Sequence, residues 1–290
     1  MGGGLGHLAR SLAVINTLGI ASQAHLLTAS PFADDPRITA GVRVTRAPQI
    51  YIGGFDSYRL WLQKLFDKLR PDELFLDTFP AGIRGELCGF KPLRDVPIQH
   101  VARLLRWDEY QKLLSDEPPK FTHAYILERL DHRHAQFIKQ QGGKKRALAL
   151  QYPSTASDSS VLDVEQLKRQ GRPVWLVVHS GSAREVETLL DYADAMRHVE
   201  NIDAELLLIA RRPPERIRQV VTLIDCYPAS LLFSVVDRII SGCGFNVMRE
   251  TEPFQHKHRF IPFARRFDDQ FTRASRRRPD FRQHIREAAM

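Results

Sequence analysis

The sequence predicts an α/β protein made of two doubly wound, Rossmann-like domains with parallel sheets. Short apolar runs alternate with amphipathic stretches along the chain, which is the pattern of repeated α/β units. The length of 290 residues suits two domains, and 43% hydrophobic with 26% charged residues is typical of a globular protein. We place an N-terminal domain at 1–150, a polar linker at 151–161 and a C-terminal domain at 162–290.

Apolar spacing predicts helices and strands that alternate in both domains. The helices are expected at 8–22, 57–69 and 183–199. The strands of the N-terminal domain are expected at 24–29, 42–46, 73–77, 96–101 and 123–128. Those of the C-terminal domain are expected at 173–178, 204–210, 237–241 and 259–263. Doubly wound domains of this kind bind ligands at the carboxyl ends of their strands.

The chain opens with a glycine-rich stretch that leads directly into a predicted helix. Backbone amides at Gly4 and Gly6, together with the positive end of the helix dipole, favour a phosphate group. His7 lies at that junction, and Arg10, one turn later, is expected at the same phosphate. His7 alone is equally typical of an ordinary helix start. Because such a loop normally follows a buried strand, we expect a strand of about five residues ahead of Met1.

A second candidate anion site follows the apolar run at 173–178. There the chain breaks into Ser180, Gly181 and Ser182 before the predicted helix. Small residues between a strand and a helix leave backbone amides free to hold phosphate oxygens. We therefore expect these three residues to donate hydrogen bonds to a diphosphate.

Charge and composition limit the partners. The formal net charge is +8, and the chain's last thirty residues are rich in arginine: Arg265, Arg266, Arg273, Arg276, Arg277, Arg278, Arg282 and Arg286. This segment predicts either a solvated helix face or a basic surface for anionic lipid or a phosphate-bearing substrate. No nucleic-acid recognition motif accompanies it, so no nucleic-acid partner is expected.

Without a leader or a long apolar run, the sequence predicts a cytoplasmic protein, with peripheral contact at the inner membrane face as an option. The three cysteines lack metal-site spacing, and His256 and His258 are interpreted as surface residues, so no metal site is predicted.

Three fragments in this order resemble the two-domain GT-B glycosyltransferases. Within that family the chain is similar to the branch of the lipid-linked N-acetylglucosaminyltransferase of peptidoglycan assembly and the galactosyltransferase of galactolipid synthesis. The fragments are Gly4-Leu-Gly-His7-Leu-Ala-Arg10, Asp237-Arg-Ile-Ile-Ser-Gly242-x-Gly244 closing on Glu250, and Pro262-Phe followed by Asp268-Asp269-Gln270-x-x-x-Ala274.

The resemblance implies two domains that face a central cleft and transfer a sugar from a nucleotide-sugar, UDP-sugar above all, to a hydroxyl acceptor. It implies that Glu250 accepts hydrogen bonds from the ribose, and that Gly242 and Gly244 let the backbone approach the nucleotide. Asp269 and Gln270 are implied to bind the donor sugar. The alternatives are a helix-surface Glu250 and a helix N-cap at Asp268 or Asp269.

For the chemistry, the resemblance implies that His7 is the general base. Asp77 is the second catalytic candidate, because it ends a buried strand, although it could equally cap the following turn. Helix dipoles and amides can hold the departing diphosphate, so neither a metal nor a cofactor is expected.

The chain departs from the family pattern at Phe254–Arg259, where a Gly-x-Pro is common, so the sugar pocket is expected to differ. Two alternatives to a transferase remain open. One is a nucleotide-sugar hydrolase, similar to the UDP-sugar hydrolase of pseudaminic acid synthesis. The other is a non-catalytic nucleotide-binding or scaffold protein.

Overall fold

The computed structural model describes residues 4–49, 54–115, 117–152, 159–169, 171–217 and 220–278. It contains two compact units. The first comprises Met1–Pro153 with Arg265–Asp269, and the second comprises Ser154–Ala264 with Gln270–Met290. The predicted C-terminal domain at 162–290 was therefore wrong for Arg265–Asp269. The reason is aromatic packing: the Phe267 ring lies 5.6 Å from that of Phe79 and 5.7 Å from that of Tyr110, centroid to centroid.

Helices and strands alternate through the first unit. Its helices are α1 (Leu5–Leu18), α2 (Pro36–Thr39), α3 (Phe55–Leu69), α4 (Trp107–Tyr110) and α5 (His132–Gln140). Its strands are β1 (His25–Thr28), β2 (Arg43–Arg46), β3 (Leu74–Asp77), β4 (Ile98–Ala102), β5 (His123–Ile126) and β6 (Lys144–Ala147). The helix α1 ends at Gly19, whose φ of 67° is the left-handed conformation that glycine adopts without strain. All five strands predicted here are present, within a few residues.

Four elements of the first unit escaped prediction, namely the strand β6 and the short helices α2, α4 and α5. The strand β6 is exposed at all four residues and reads Lys-Lys-Arg-Ala, so it carries no apolar signal. The helix α5 is short, and its Asp131 N-cap was not recognised; the Asp131 carboxylate accepts from the amides of Arg133 and His134.

The strands of the first unit form two parallel sheets in the described residues. One pairs β1 with β2, and the other has the order β3-β4-β5-β6. The sequence predicted one doubly wound sheet for this domain, whereas β1 and β3 do not pair here. The strand expected ahead of Met1 lies outside the chain and stays a prediction.

The second unit has a single five-stranded parallel sheet. Its strands are β7 (Val174–His179), β8 (Glu205–Ala210), β9 (Thr222–Leu223), β10 (Arg238–Gly242) and β11 (His258–Ile261). They lie in the order β11-β10-β7-β8-β9. Its helices are α6 (Ser159–Lys168), α7 (Ala183–Glu200), α8 (Phe245–Glu250) and α9 (Gln270–Arg277). Because α6 begins at Ser159, the last residues of the predicted linker at 151–161 are helical, and 153–158 lie outside the described residues.

Successive side chains of β7 pack in two different apolar clusters. Val174 and Leu176 pack in one apolar cluster, whereas Trp175 and Val177 pack in another with the buried face of α7. Side chains of a strand point alternately to the two faces of its sheet, so both faces of β7 are buried. Within the described part of the chain, no helix is long and apolar enough to cross a membrane.

Candidate functional site

The main cluster of titratable side chains in the first unit lies at the carboxyl ends of β3 and β4. Asp77 is the last residue of β3, and Arg103 directly follows Ala102, the last residue of β4. His7 and Arg10 are one helical turn apart in α1 and therefore occupy neighbouring positions on its surface. The two catalytic candidates, His7 and Asp77, are thus brought together from positions 70 residues apart.

Arg10 holds both oxygens of Asp77 with one edge of its guanidinium. Its Nε lies 2.6 Å from Asp77 Oδ1, and its Nη2 lies 2.6 Å from Asp77 Oδ2. The same Nη2 is 2.7 Å from Thr78 Oγ1. His7 Nδ1 lies 2.8 Å from Asp77 Oδ2 and also 2.8 Å from Arg10 Nη2. Asp77 therefore accepts from these groups instead of capping the following turn.

Counting protons assigns the tautomer of His7. Arg10 Nη2 carries two protons, and Asp77 Oδ2 and Thr78 Oγ1 take both. None remains for His7 Nδ1, so this nitrogen carries the ring proton and donates it to Asp77. His7 Nε2 consequently has the lone pair of the neutral imidazole. The His7 side chain is 22% exposed, so the ring is not sealed from solvent.

The charges around this cluster keep His7 neutral. Desolvation, followed by the neighbouring Arg10 cation, lowers the pKa of His7 to about 4, and the hydrogen bond to Asp77 offsets only part of this. Burial alone would raise the pKa of Asp77, but the Arg10 charge and the hydrogen bonds from His7 and Arg10 hold it well below its usual range. At neutral pH the cluster is therefore a carboxylate, a guanidinium and an uncharged imidazole.

Backbone strain marks the residue next to Asp77. Thr78 has a φ of 68°, which is rare for a β-branched side chain and costs about 1–3 kcal/mol. Its Oγ1 accepts from Arg10 Nη2 and from Arg103 Nε, the latter at 3.0 Å. Arg103 also forms an ion pair with Asp268. Two buried guanidinium groups therefore fix Thr78 in this conformation beside the carboxylate.

The opening glycines lie differently from the predicted loop. Gly4 is the N-cap of α1, whereas Gly6 and His7 are already in its first turn. A Cβ on Gly4 would have open space within 4 Å, so a ligand could approach its backbone. Phosphate binding by Gly4 and Gly6 stays a prediction. Arg10, expected at the same phosphate, is 2% exposed and is used by Asp77 and Thr78 instead.

In the second unit, the candidate nucleotide residues surround the point where the strand order reverses. From β7 the chain proceeds to β8 and β9 on one side, and then to β10 and β11 on the other. The carboxyl ends of β7 and β10, at His179 and Gly242, are neighbours at this switch point. Ser180–Ser182 and Gly244 follow these two strand ends, which is where open parallel sheets bind ligands.

His179 occupies part of this position and was not among the predicted site residues. Its Nε2 lies 2.9 Å from Glu185 Oε2, and its ring is 5.2 Å from that of Phe263. A Cβ on Gly242 would lie 3.0 Å from His179 Cε1. Gly242 therefore makes room for the imidazole, whereas it was predicted to make room for the nucleotide.

A carboxylate of the chain itself lies over the predicted anion cradle. Ser182 and Glu185 form a capping box: Ser182 Oγ accepts from the Glu185 amide at 3.4 Å, and Glu185 Oε2 accepts from the Ser182 amide at 3.2 Å. A Cβ on Gly181 would collide with Glu185 Oε2. A diphosphate bound by Ser180, Gly181 and Ser182 would therefore replace this carboxylate.

Glu250 and Gly244 lie at opposite ends of α8. Gly244 is its N-cap, and a Cβ there would meet its first neighbour only at 4.0 Å, so the backbone is approachable. Burial raises the pKa of Glu250 to about 7, and a hydrogen bond with Ser230 offsets part of that rise. By accessible surface Glu250 is only half-buried, so the alternative of a helix-surface glutamate stays open. Ribose binding by Glu250 stays a prediction.

The boundary between the two units falls between Asp269 and Gln270. Gln270 is 4% exposed, and its Oε1 accepts from the Phe263 amide at 3.0 Å. Asp268 pairs with Arg103 in the first unit, and the alternative of a helix N-cap at Asp268 or Asp269 stays open. Sugar binding by Asp269 and Gln270 stays a prediction.

The arginine-rich segment is less exposed than its sequence suggested. Arg273 is 6% exposed and donates to the Cys243 carbonyl at 2.8 Å, so it does not belong to a basic surface. Arg266, Arg276 and Arg278 are exposed. Arg282 and Arg286 lie outside the described residues.

Several side chains of these clusters were not predicted from the sequence. Arg103 and Thr78 follow strand ends, and His179 ends a strand, so the topological rule that named Asp77 could have named them as well. Glu185 was recognisable as the partner of Ser182 in a capping box.

Comparison with known proteins supports the fold. No family model and no curated protein matches the sequence. Among solved structures, S. aureus MnaA bound to UDP is 10% identical, and the match covers 90% of this chain and 77% of that one with a TM-score of 0.56. The glycosyltransferase SnogD from Streptomyces nogalater is 14% identical over 90% and 79% of the two chains, with a TM-score of 0.53.

A UGT transferase from Siraitia grosvenorii in complex with UDP is also 14% identical, over 94% of this chain and 82% of that one, with a TM-score of 0.52. The chain therefore has the mixed α/β, parallel-sheet fold of SnogD and the Siraitia transferase. This is the GT-B fold that the sequence predicted.

Proposed function

We propose that the protein is a glycosyltransferase that moves a sugar from a nucleotide-sugar, UDP-sugar above all, to a hydroxyl acceptor. The proposal depends chiefly on one observation: the proton count at Arg10 leaves His7 Nε2 unprotonated, with Nδ1 held by Asp77. Glycosyl transfer needs a base that takes the proton of the attacking hydroxyl. His7 is assigned that role, and Asp77 fixes the tautomer and stabilises the imidazolium as it forms.

The donor is assigned to the switch point of the second unit. Backbone amides at Ser180, Gly181 and Ser182 would hold the diphosphate at the N-terminus of α7, and Gly244 would admit the nucleotide. Glu250 would accept from the ribose hydroxyls. Asp269 and Gln270 are proposed for the donor sugar. The two solved structures that contain UDP and share this fold support a nucleotide ligand.

These donors also support a metal-independent departure of the nucleotide. Backbone amides and the dipole of an 18-residue helix can stabilise the charge that develops on the leaving diphosphate. We propose that turnover needs no divalent cation and no cofactor. Activity that chelator abolishes and Mg²⁺ restores would contradict this.

The finer assignment follows from the sequence motifs. We propose an enzyme of the branch of lipid-linked N-acetylglucosaminyl and galactolipid transferases, acting in the cytoplasm with peripheral contact at the inner membrane face. Such contact would use the exposed arginines of the C-terminal segment. It is tested by sedimentation with anionic and with neutral vesicles at increasing salt, because electrostatic binding weakens as salt rises.

The base assignment is tested by His7→Ala, with the exposed His25→Ala as the control in the same unit. Wild type is first assayed by mass spectrometry with UDP-sugars and hydroxyl acceptors. His7→Ala should then lower kcat by about 10²–10⁴, the usual contribution of a general base, and leave UDP affinity unchanged. Unchanged turnover in His7→Ala would reject His7 as the base.

The same assay separates the transferase from its alternatives. Rapid release of UDP and free sugar without any acceptor would identify a hydrolase, because water would then be the nucleophile. Binding of UDP without turnover of any donor would identify a non-catalytic nucleotide-binding protein.

A further inference from the structure

A basic cavity lies in the second unit, beside the edge strand β11 and the end of α9. Its volume is about 380 Å³, and its charged lining consists of Arg259, Arg277 and Arg278 together with His258. No carboxylate is among the described residues that line it. None of the residues assigned above to the nucleotide lines this cavity, so it is a different site.

The guanidinium groups at this cavity have little negative charge to balance them. Arg259 Nη1 contacts two backbone carbonyls at 3.1 and 3.2 Å. Arg278 Nη2 donates to the Phe260 carbonyl at 3.0 Å, and its guanidinium lies 4.2 Å from the centre of the Phe260 ring. Among the described residues, Arg278 has no carboxylate partner. Arg259 interacts electrostatically with Glu200, but both oxygens of that carboxylate accept hydrogen bonds from Arg238. Carbonyl oxygens satisfy some of their protons but do not neutralise their charge.

Arg277 shares its only described carboxylate with another cation. Its Nη1 lies 3.5 Å from Glu252 Oε1, while Arg249 Nη1 lies 3.3 Å from Glu252 Oε2. The buried Nη2 of Arg277 has no hydrogen-bond partner in the described part of the chain. A buried, unpaired guanidinium nitrogen is costly, so its protons favour an anionic acceptor.

His258 is a second group without a full set of partners. It was interpreted from the sequence as a surface residue, but it is 4% exposed, because β11 places it inward, against Ser241. Ser241 Oγ donates to the Gly242 carbonyl, so it accepts from His258 Nε2 at 2.8 Å. The lone pair of His258 therefore lies on Nδ1, and this buried atom has no described partner.

The pKa of His258 reflects the excess of positive charge around the cavity. Burial, followed by the charges of Arg277, Arg259 and Arg278, lowers the pKa of His258 to about 3. Three cations therefore raise the potential at one buried imidazole, and a bound anion would reverse that effect. The cavity is thus positive, and among the described residues Arg277 Nη2 lacks an acceptor and His258 Nδ1 lacks a donor.

We propose that this cavity binds the phosphate group of a small phosphate ester, present either in a soluble metabolite or in a lipid headgroup. Guanidinium groups present paired donors that match phosphate oxygens, which explains why arginines rather than lysines surround the cavity. A hydroxyl on the ester would supply the donor that His258 Nδ1 lacks. The volume is at the lower end of small-molecule sites, which span about 300–1,000 Å³, so there is room for more than an ion. The rings of Tyr192 and Phe260 also line it and can pack against the organic part.

The soluble source is tested by calorimetry of the full chain with glycerol 3-phosphate, with glycerol as the uncharged control. Arg277→Gln and Arg278→Gln should each raise the Kd at least tenfold. Arg276→Gln removes the same charge from the same helix, but Arg276 does not line the cavity, so the Kd should stay within twofold of wild type. Arg278→Lys, which keeps the charge and loses the planar fork, provides the measurement if a glutamine variant does not fold.

The lipid source is tested by sedimentation with phosphatidylglycerol and with phosphatidylcholine vesicles. Binding to the anionic vesicles that glycerol 3-phosphate displaces, and that Arg277→Gln loses, would assign the site to a headgroup. Binding of soluble ester without vesicle binding would assign it to a metabolite.

Two results would overturn the proposal. One is that wild type binds neither glycerol 3-phosphate at millimolar concentration nor anionic vesicles. The other is that Arg276→Gln weakens binding as much as Arg277→Gln, since that would show a diffuse basic surface with no specific cavity. None of these outcomes depends on glycosyl transfer, so the cavity and the proposed activity stand or fall separately.

Discussion

Arg10 and His7 share one oxygen of the same carboxylate: Arg10 Nη2 lies 2.6 Å and His7 Nδ1 lies 2.8 Å from Asp77 Oδ2. A histidine paired with a carboxylate alone would have a raised pKa, because the negative charge favours the imidazolium. Here the guanidinium neutralises Asp77 and lies beside the ring. The imidazole is therefore unprotonated at neutral pH, and it is a weak base because burial and the Arg10 charge lower its pKa to about 4.

The first prediction follows from this competition. Replacing Arg10 by Gln removes the cation that lowers the pKa of His7 and leaves the Asp77 charge facing the ring. The pKa of His7 should rise from about 4 towards or above its ordinary value of about 6.5. NMR titration of the His7 ring protons measures this directly, in the absence of any substrate.

Arg46→Gln is the control, because Arg46 pairs with Asp34 on the exposed surface of the same unit. If Arg10→Gln left the His7 titration where it is in wild type, burial alone would set the pKa. The acid limb of kcat/KM should move with the NMR value, since it reports the protonation of the free enzyme.

The second prediction concerns the carboxylate over the anion cradle. Glu185 accepts from the Ser182 amide at 3.2 Å, in the position proposed for the diphosphate. Glu185→Gln removes a negative charge that repels the ligand, so UDP should bind more tightly, by about 1 kcal/mol or roughly fivefold. Isothermal calorimetry with UDP measures the change.

Glu187→Gln is the matched control for this variant, since Glu187 lies two residues further along the same helix. Glutamine can keep the capping-box hydrogen bond but loses the negative charge that the helix N-terminus favours, so the melting temperature should fall slightly in Glu185→Gln. Weaker UDP binding in Glu185→Gln would mean that the ligand does not replace this carboxylate.

The distinction between local and long-range information explains what the sequence could reveal. The strand β7 was predictable because both of its faces are apolar and its boundaries are turns. His7 and Asp77 were each recognisable from local context, but their hydrogen bond joins positions 70 residues apart. The ion pair between Arg103 and Asp268 joins positions 165 residues apart. It belongs to the packing of Arg265–Asp269 with the first unit, which no local sequence pattern encodes.

The third prediction concerns two buried histidines of the first unit. His100 Nδ1 lies 3.1 Å from the Leu76 carbonyl and therefore donates to it, so His100 Nε2 accepts from His134 Nε2 at 3.4 Å. His134 Nδ1 is then left with no described partner. Both imidazoles are neutral in this arrangement. Burial lowers the pKa of His100 to about 4 and that of His134 well below its usual value.

A histidine whose pKa is lowered by folding takes up its proton first in the unfolded chain. Stability should therefore fall as the pH drops below about 6.5, the unfolded value, and continue to fall until the folded pKa is reached. Between pH 7 and about pH 5, a histidine with a folded pKa near 4, such as His100, costs about 2 kcal/mol. His134→Phe should lose less stability than wild type between pH 7 and pH 5, because one buried histidine is gone. The free energy of unfolding in urea, measured at both pH values, tests this. The exposed His198→Asn should leave the pH dependence unchanged, and an unchanged pH dependence in His134→Phe would contradict the assignment.

The last prediction concerns the protonation of Glu250. Because its pKa is raised to about 7, the carboxyl group is only partly ionised at neutral pH in the free protein. A ribose hydroxyl donates best to the ionised form, so UDP affinity should rise as the pH increases from 6 to 8 and more of Glu250 is ionised.

Glu250→Gln keeps the shape but not the charge, so it should weaken UDP binding by roughly 1.5–3 kcal/mol at pH 8 and lose this part of the pH dependence. Glu252→Gln, two residues further along the chain, should retain the wild-type profile. Calorimetry of the three proteins at both pH values decides the matter: an identical pH profile in wild type and Glu250→Gln would remove Glu250 from the nucleotide site.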